Sequence, residues 1–274
     1  MIFLSPAKIN LSLYITGKDK KDGYHFLNSI VDPVSLYDFL DISVIEKQKI
    51  ILIDKFKKLK INYKKNLIYK AAKLLQKKYN VKKGAVIKFY KYIPDGAGLG
   101  GGSSNAATTL KALNKLWNLK ISIKNLEKIA SQLGSDIPFF IKSKYARIKN
   151  KGEKINILKR KRIYWYVIVI PKYCKINTKF AYQWFDEDFV LTKKTTYYKI
   201  LNNDLELPVL KRIKLLKNIK DKIIKIADNE KNVSMSGSGS AFFLLCETKK
   251  RAKIIFMKLK RNFKNCYVFL AHSI

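Results

Sequence analysis

Arginine is scarce in this chain: of 57 basic residues only six, at positions 147, 160, 162, 212, 251 and 261, are arginine. The planar guanidinium fork is the group best suited to reading phosphates and base edges. The lysines are spread evenly instead of forming a patch, so the net charge of +37 is read as compositional and no nucleic-acid partner is expected. A basic RNA- or DNA-binding protein stays as the less favoured alternative. Cysteine is scarcer still. Cys174, Cys246 and Cys266 are odd in number, far apart and never spaced as C-x-x-C, which argues against a disulfide framework or a zinc site and for a reducing cytoplasm. Long hydrophobic runs are missing as well. The longest, at 164–170 and 241–246, are strand length and fall short of the roughly 18–20 residues a membrane-spanning helix needs, so no membrane partner is expected. The opening MIFLSPAKINLSLYI alternates like a strand and lacks the basic, apolar and small-residue segments of a signal peptide, so no export is expected. Oligomeric state is not written in the sequence.

What is present is a chain of 274 residues, 47% hydrophobic, enough for two cores of about 100–150 residues each. Residues 2–15 and 40–53 read as strands. Asn66 caps a helix carrying Leu67, Ala71, Leu74 and Leu75, and residues 85–93 form a strand. From Ser104 a second helix presents Ala107, Leu110, Leu113, Leu116 and Trp117. From Ser122 a third presents Leu126, Ile129, Ala130 and Leu133, with Gly134 as its C′ residue. SDIPFF then reads as an acidic turn entering a strand. Lys149 to Arg162, polar and aperiodic, is the expected domain joint. Strands are expected at 163–170 and 240–246, and helices near 208–227 and 249–261. The segment 183–206 is the least legible.

Between Lys91 and Lys111 there is no basic residue, and the interval contains PDGAGLGGGSS with five glycines in seven positions. A strand, a glycine turn and a helix N-terminus converge backbone N–H groups and a helix dipole on one spot, which is how an anion is held. Glycine permits positive φ and close approach of phosphate oxygens. Ser103 and Ser104 add hydroxyls that can donate or hold magnesium. The G-K-[ST] ending of a Walker A loop is absent, and the match of Gly96, Gly98 and Gly101 to G-x-G-x-x-G lacks an acidic ribose partner. The competing reading is a plain surface turn.

Phosphoryl transfer also needs a cation and a carboxylate. Lys8, in SPAKINLSL, is the one lysine of the first 17 residues, and Asp136 lies in LGSDIPFF. The alternatives are an outward strand lysine and an Asx turn at a helix end. A second glycine turn, MSGSGSAFFLL, precedes a strand at 235–245 and alone means little.

Taken together, PAKINL (6–11), PDGAGLGGGSS (94–104) and SGSGSAFF (236–243) resemble the three motifs of the GHMP kinases, in order and across nearly the whole chain. DGYH at 22–25, the triple glycine and LGSDIPFF bring the likeness closer to a branch whose acceptor is a cytidine-diphosphate sugar alcohol. Homoserine and mevalonate kinases are the alternatives within the family. The resemblance implies an α+β, two-domain fold: a ribosomal-protein-S5-domain-2-like N-terminal domain at 1–152 and a ferredoxin-like C-terminal domain at 153–274. It implies ATP as co-substrate with Mg2+, whose ligands it does not name. Lys8 and Asp136 match the catalytic pair. Pro94, Asp95, Gly96, Ala97, Gly98, Leu99, Gly100, Gly101, Gly102, Ser103 and Ser104 match the ATP loop, with Asn66 and Lys91 at the adenine pocket. Asn10, Tyr24 and His25 match the substrate side, to which Thr178, Tyr182, Gly237, Ser238 and Gly239 are added. Asp95 departs from expectation, since it would bring a negative charge to the phosphates unless it points outward.

Overall fold

The structure is a computed structural model and describes residues 1–56, 63–189, 199–228 and 232–274. The chain resolves into two compact units, each assembled from separate stretches. Unit one comprises Met1–Ala7, Leu36–Ile93 and Gly100–Lys144, and unit two Lys8–Ser35, Pro94–Leu99 and Tyr145–Ile274.

Two long strands, β1 (Ile2–Lys18) and β2 (His25–Ile45), contribute to both units. In unit one, β3 (Ile50–Asp54), α1 (Leu67–Lys78) and β4 (Gly84–Tyr90) make a parallel β-α-β crossover, and β4 pairs antiparallel with residues 39–45 of β2. The Asn66 side chain accepts from the N–H of Ile68 and caps α1 as expected, a cap that contributes about 1 kcal/mol. Helices α2 (Gly101–Leu116), α3 (Ile123–Ser131) and α4 (Ile137–Lys142) complete the unit, with α2 packed on both α1 and α4. The small residues Ala71, Ala72, Ala106 and Ala107 are fully buried.

In unit two, β5 (Ala146–Asn150) pairs with residues 27–31 of β2 and with β6 (Lys154–Ile157). The remaining elements are β7 (Trp165–Pro171), α5 (Thr178–Asp188), α6 (Glu206–Arg212), α7 (Lys214–Ile226), β8 (Val233–Met235), β9 (Phe242–Cys246), α8 (Lys249–Asn262) and β10 (Cys266–His272). Their antiparallel sheet runs in the order β10-β7-β9-β8, the arrangement of a ferredoxin-like β-α-β-β-α-β fold. Val167, Val169, Phe242 and Leu244 meet Leu216, Ile223, Ile255 and Leu259 in its core. The three cysteines are free, and burial pushes the Cys246 thiol up to about 12. No helix among the described residues is long and apolar enough to cross a membrane.

Several local expectations are corrected. The strand expected at 40–53 is the end of β2 and the whole of β3, separated at 46–49. SDIPFF enters a helix, α4, because Pro138 suits a first helical turn and the five residues 137–141 are all buried. A segment buried on every side shows no period from which to tell helix from strand. α2 begins at Gly101, three residues before Ser104. α3 ends at Ser131 with Gln132 as its C-cap, and Gly134 is not among the glycines of left-handed φ. The helix expected at 208–227 is two helices broken at Ile213, whose backbone is non-helical (φ −120°, ψ 83°). The stripe of α1 is Ile68, Ala71, Ala72 and Leu75, with Leu67 and Leu74 half-buried.

Candidate active site

Strand β1 sets the first part of the site. From Ser5 to Ile15 every residue is buried, although apolar and polar residues alternate from Ala7 to Ser12. Since strand side chains alternate, Lys8, Asn10 and Ser12 share one face. On that face Lys8 Nζ donates to Asn10 Oδ1, and Asn10 Nδ2 donates to Ser29 Oγ at 2.8 Å. Lys8 is 7% exposed, so it is not an outward strand lysine.

The late glycine turn, joining β8 to β9, lies against this face within unit two. The N–H of Asn10 donates to Ser236 Oγ at 3.2 Å, and that hydroxyl donates to the carbonyl of Gly98 at 3.1 Å. Lys8 N–H donates to the Leu99 carbonyl at 2.9 Å, and Ala241 N–H to the Ala97 carbonyl at 3.1 Å. Pro94–Leu99 is therefore stitched on one side to β1 and on the other to residues 236–241. A Cβ at Gly98, whose φ is +75°, would stand 2.0 Å from the Ser236 carbonyl, so only glycine fits. A Cβ at Gly237 would lie 3.4 Å from Lys8 Nζ and 3.3 Å from the Gly98 carbonyl. Gly239 also has positive φ, and Ser238 Oγ is 3.0 Å from Thr178 Oγ1 at the start of α5. Asp95 points outward and pairs with Lys175 at 3.7 Å, both exposed, which resolves the difficulty its charge raised. The methylenes of Lys175 pass over Gly96.

In unit one, α2 opens with Gly100 as N-cap in the left-handed region (φ +69°) and has no side-chain cap. The first N–H groups of a helix have no intrahelical acceptor, so those of Gly101, Gly102 and Ser103 head a 16-residue dipole. Ser104 is buried, and its hydroxyl accepts from Ser5 Oγ at 2.9 Å, whereas Ser103 is half-buried. Lys91 is buried, its Nζ 2.5 Å from Asp38 Oδ2, and a Cβ at Gly101 would come within 2.7 Å of that ammonium. Asp38, fully buried, also accepts from the N–H groups of Tyr92 and Ile93 at 2.7 and 2.8 Å, so it shapes the chain as it leaves β4. Asp136 is exposed and directly precedes α4, making no cap hydrogen bond of its own. The hydrophobic block Ile137–Ile141 anchors it, and Lys111 and Ser143 both donate to the Phe140 carbonyl.

His25 and Tyr182 are brought together in unit two, stacked with ring centroids 4.9 Å apart, and Phe185 meets His25 edge-on at 6.3 Å. Tyr24 is 61% exposed beside Lys151. Lys151 ties the turn before it by pairing with Asp19 and Asp22 at 2.7 and 2.6 Å.

Sequence reasoning missed several supporting residues. Asn203 Nδ2 donates to the carbonyls of Met235 and Gly237, each at 2.7 Å. Asp204 accepts from Ile15 N–H at 2.8 Å, and Glu206 from Met235 N–H at 2.7 Å. Asn203 and Glu206 thus hold the late glycine turn, while Asp204 between them ties the same run to β1. Its only signal was three polar residues beside an apolar helix start, inside the segment that had shown least pattern.

The N-terminal domain model of the GHMP kinases matches residues 66–144 and the C-terminal model residues 199–265. A protein of Pasteurella multocida (strain Pm70) named 4-diphosphocytidyl-2-C-methyl-D-erythritol kinase is 38% identical over 266 residues, which cover 95% of this chain and 86% of that protein. The protein of that name from Wigglesworthia glossinidia brevipalpis is 39% identical over 272 residues, 96% and 86% of the two chains. The crystal structure of a 4-(cytidine 5'-diphospho)-2C-methyl-D-erythritol kinase superposes with a TM-score of 0.82 at 30% identity, covering 100% of both chains. With the glycine loop, the lysine strand and the late glycine turn joined as described, and relatives matched end to end, this chain belongs to the GHMP kinases.

Proposed function

We infer that this chain is a small-molecule kinase that moves the γ-phosphoryl group of ATP to the 2-hydroxyl of 4-diphosphocytidyl-2-C-methyl-D-erythritol, a step of non-mevalonate isoprenoid precursor synthesis. The observation that carries the reading is the convergence of Lys8, Gly98 and Gly237, one residue from each glycine or lysine motif, in a chain whose relatives carry that enzyme's name. ATP phosphates are assigned to backbone N–H groups of residues 94–104, headed by α2. Lys8 and Asp136 fall in different units, and their pairing is part of the proposal. Asp136 accepts or orients the proton of the attacking hydroxyl. Lys8 holds that carboxylate and opposes charge on the transferring phosphoryl group.

Among the described residues no group of three or more His, Cys, Asp or Glu is placed to hold a metal. The half-buried Ser103 hydroxyl suits Mg2+, which keeps waters and substrate phosphates as most of its ligands. Bound with the nucleotide, Mg2+ supplies neutralisation of the β- and γ-oxygens. Asn66 and Lys91 are assigned to the adenine end, and Asn10, Tyr24, His25, Thr178, Tyr182 and Gly237–Gly239 to the cytidine substrate. The catalytic and ATP-binding part is assigned to residues 1–152 and the second part to 153–274, with the two family matches on either side of that boundary. Free cysteines support a cytoplasmic setting.

One assay tests the reading. ATP is consumed in step with the cytidine-diphosphate substrate when Mg2+ is present, and neither homoserine nor mevalonate is phosphorylated. Turnover on mevalonate in place of the cytidine substrate would overturn the specificity and leave the family intact. Absence of ATP turnover with steeply salt-dependent nucleic-acid binding would favour the basic-protein alternative.

A further inference from the structure

Asp186 has no part in the mechanism above, yet its carboxylate stands 2.7 Å from His25 Nε2 and 2.6 Å from Lys18 Nζ. Burial pushes the Asp186 carboxyl up, but the hydrogen bonds from Lys18 and His25 outweigh it and leave the group below its ordinary value of 3.8. At neutral pH it is therefore ionised and can only accept, so the proton it shares with His25 belongs on Nε2. The ring is 8% exposed and is held by Tyr182 on one face and Phe185 at an edge. In a neutral imidazole protonated at Nε2, Nδ1 is an acceptor, and no described residue donates to it. His272 provides the opposite case. Its Nδ1 faces the Ser273 carbonyl at 3.0 Å, and a carbonyl cannot donate, so there Nδ1 carries the proton.

We propose that Asp186, steadied by Lys18, is a positioning residue that fixes His25 in the Nε2–H form and so makes Nδ1 an acceptor for the exocyclic amine of a pyrimidine, selecting cytosine over uracil. The proposal rests on the cytidine-diphosphate reading above. An amino N–H donates to that lone pair, whereas the carbonyl of uracil in the same place opposes it with another. Leaving that acceptor unpaired against uracil discriminates by on the order of ten- to a hundredfold.

Because the chain has two histidines, long-range proton–nitrogen NMR of the imidazoles resolves both. The spectrum is recorded at pH about 8, above the ordinary histidine range near ~6.5. The expected result is an Nε2-protonated His25 and an Nδ1-protonated His272, with cytidine 5'-diphosphate moving the Nδ1 resonance of His25 and uridine 5'-diphosphate at equal concentration leaving it. An Nδ1-protonated His25, or equal responses to the two nucleotides, overturns the proposal. In kinetics, Asp186→Ala raises KM for the cytidine substrate about tenfold or more, with kcat within about twofold, and narrows the preference over a uridine analogue. Lys18→Met acts in the same direction more weakly and serves if the first variant fails to fold. A folded variant with lowered kcat and unchanged KM, or with unchanged base preference, also overturns it. The NMR readout needs no turnover, so failure of the kinase reading remains separable from failure of the tautomer assignment.

Discussion

The backbone N–H of Lys8 donates to the carbonyl of Leu99 at 2.9 Å. Two residues 91 positions apart are thereby locked in register, and the lysine ammonium stands on Asn10 Oδ1 beside Gly237. The loop has no lysine of its own, and this bond from β1 is how a cation is supplied beside it. Replacing Lys8 by Met keeps the backbone bond and removes the charge. The expected outcome is a kcat lowered far more than KM for ATP is raised, because the charge is assigned to the transition state. Steady-state kinetics checks it, and a pure KM effect would reassign Lys8 to ground-state phosphate binding.

Asp136→Asn is nearly isosteric, and the wild-type carboxylate makes no cap bond, so fold and ATP binding are expected to persist. kcat should fall about 10²–10⁴-fold, the usual cost of losing a general base. A variant turning over near the wild-type rate would remove Asp136 from the catalytic role.

Gly98 and Gly100 separate two uses of glycine. Gly100→Val meets a left-handed φ of +69° at the N-cap of α2, beside the N–H groups assigned to ATP. ATP affinity by calorimetry should fall much more than stability in denaturant, since the substitution leaves the buried Ala97 and Leu99 side chains of the loop in place. Gly98→Val forces a Cβ into the Ser236 carbonyl at 2.0 Å and should lower both, with stability down by at least ~2 kcal/mol. Equal stability losses in the two variants would contradict this division.

Tyr166 donates to Asp32 Oδ2 at 2.6 Å, and Arg160 donates to Oδ1 of the same fully buried carboxylate. Burial pushes the Asp32 carboxyl up, and the Tyr166 and Arg160 contacts only partly offset it. Tyr166→Phe removes one of its donors and should destabilise the protein by about 1–3 kcal/mol at neutral pH. The folded pKa of this group lies above its unfolded value of 3.8, so the folded form binds the proton more tightly. Its contribution to stability therefore improves as pH falls through the folded pKa and is complete below the unfolded one. The deficit of the variant should shrink in urea unfolding as the pH is lowered from neutrality toward the unfolded value of 3.8. A deficit that grows on acidification would show that the carboxylate, not its desolvation, dominates there.

Much of this protein was legible in its sequence because the relevant signals are local. Asn66 and Ser122 announce their helices by side-chain caps, alternation in β1 puts Lys8 and Asn10 on one face, and the strand–glycines–helix run around 85–104 specifies backbone donors at a helix start. Each depends on neighbours within a few residues, so one stretch of chain fixes it. The helix at Ile137–Lys142 was not legible, because complete burial erased its period. The break at Ile213, the hold of Asn203 and Glu206 on the late glycine turn and the bond of Asp204 to β1 were not legible either. Tertiary structure alone decided the contacts of long sequence separation. It set Asp95 against Lys175, Asp38 under Lys91, Asp186 on His25 and Ser236 between Asn10 and Gly98. A buried or half-buried polar atom must find a partner wherever the fold brings one, and no spacing along the chain records which residue that will be.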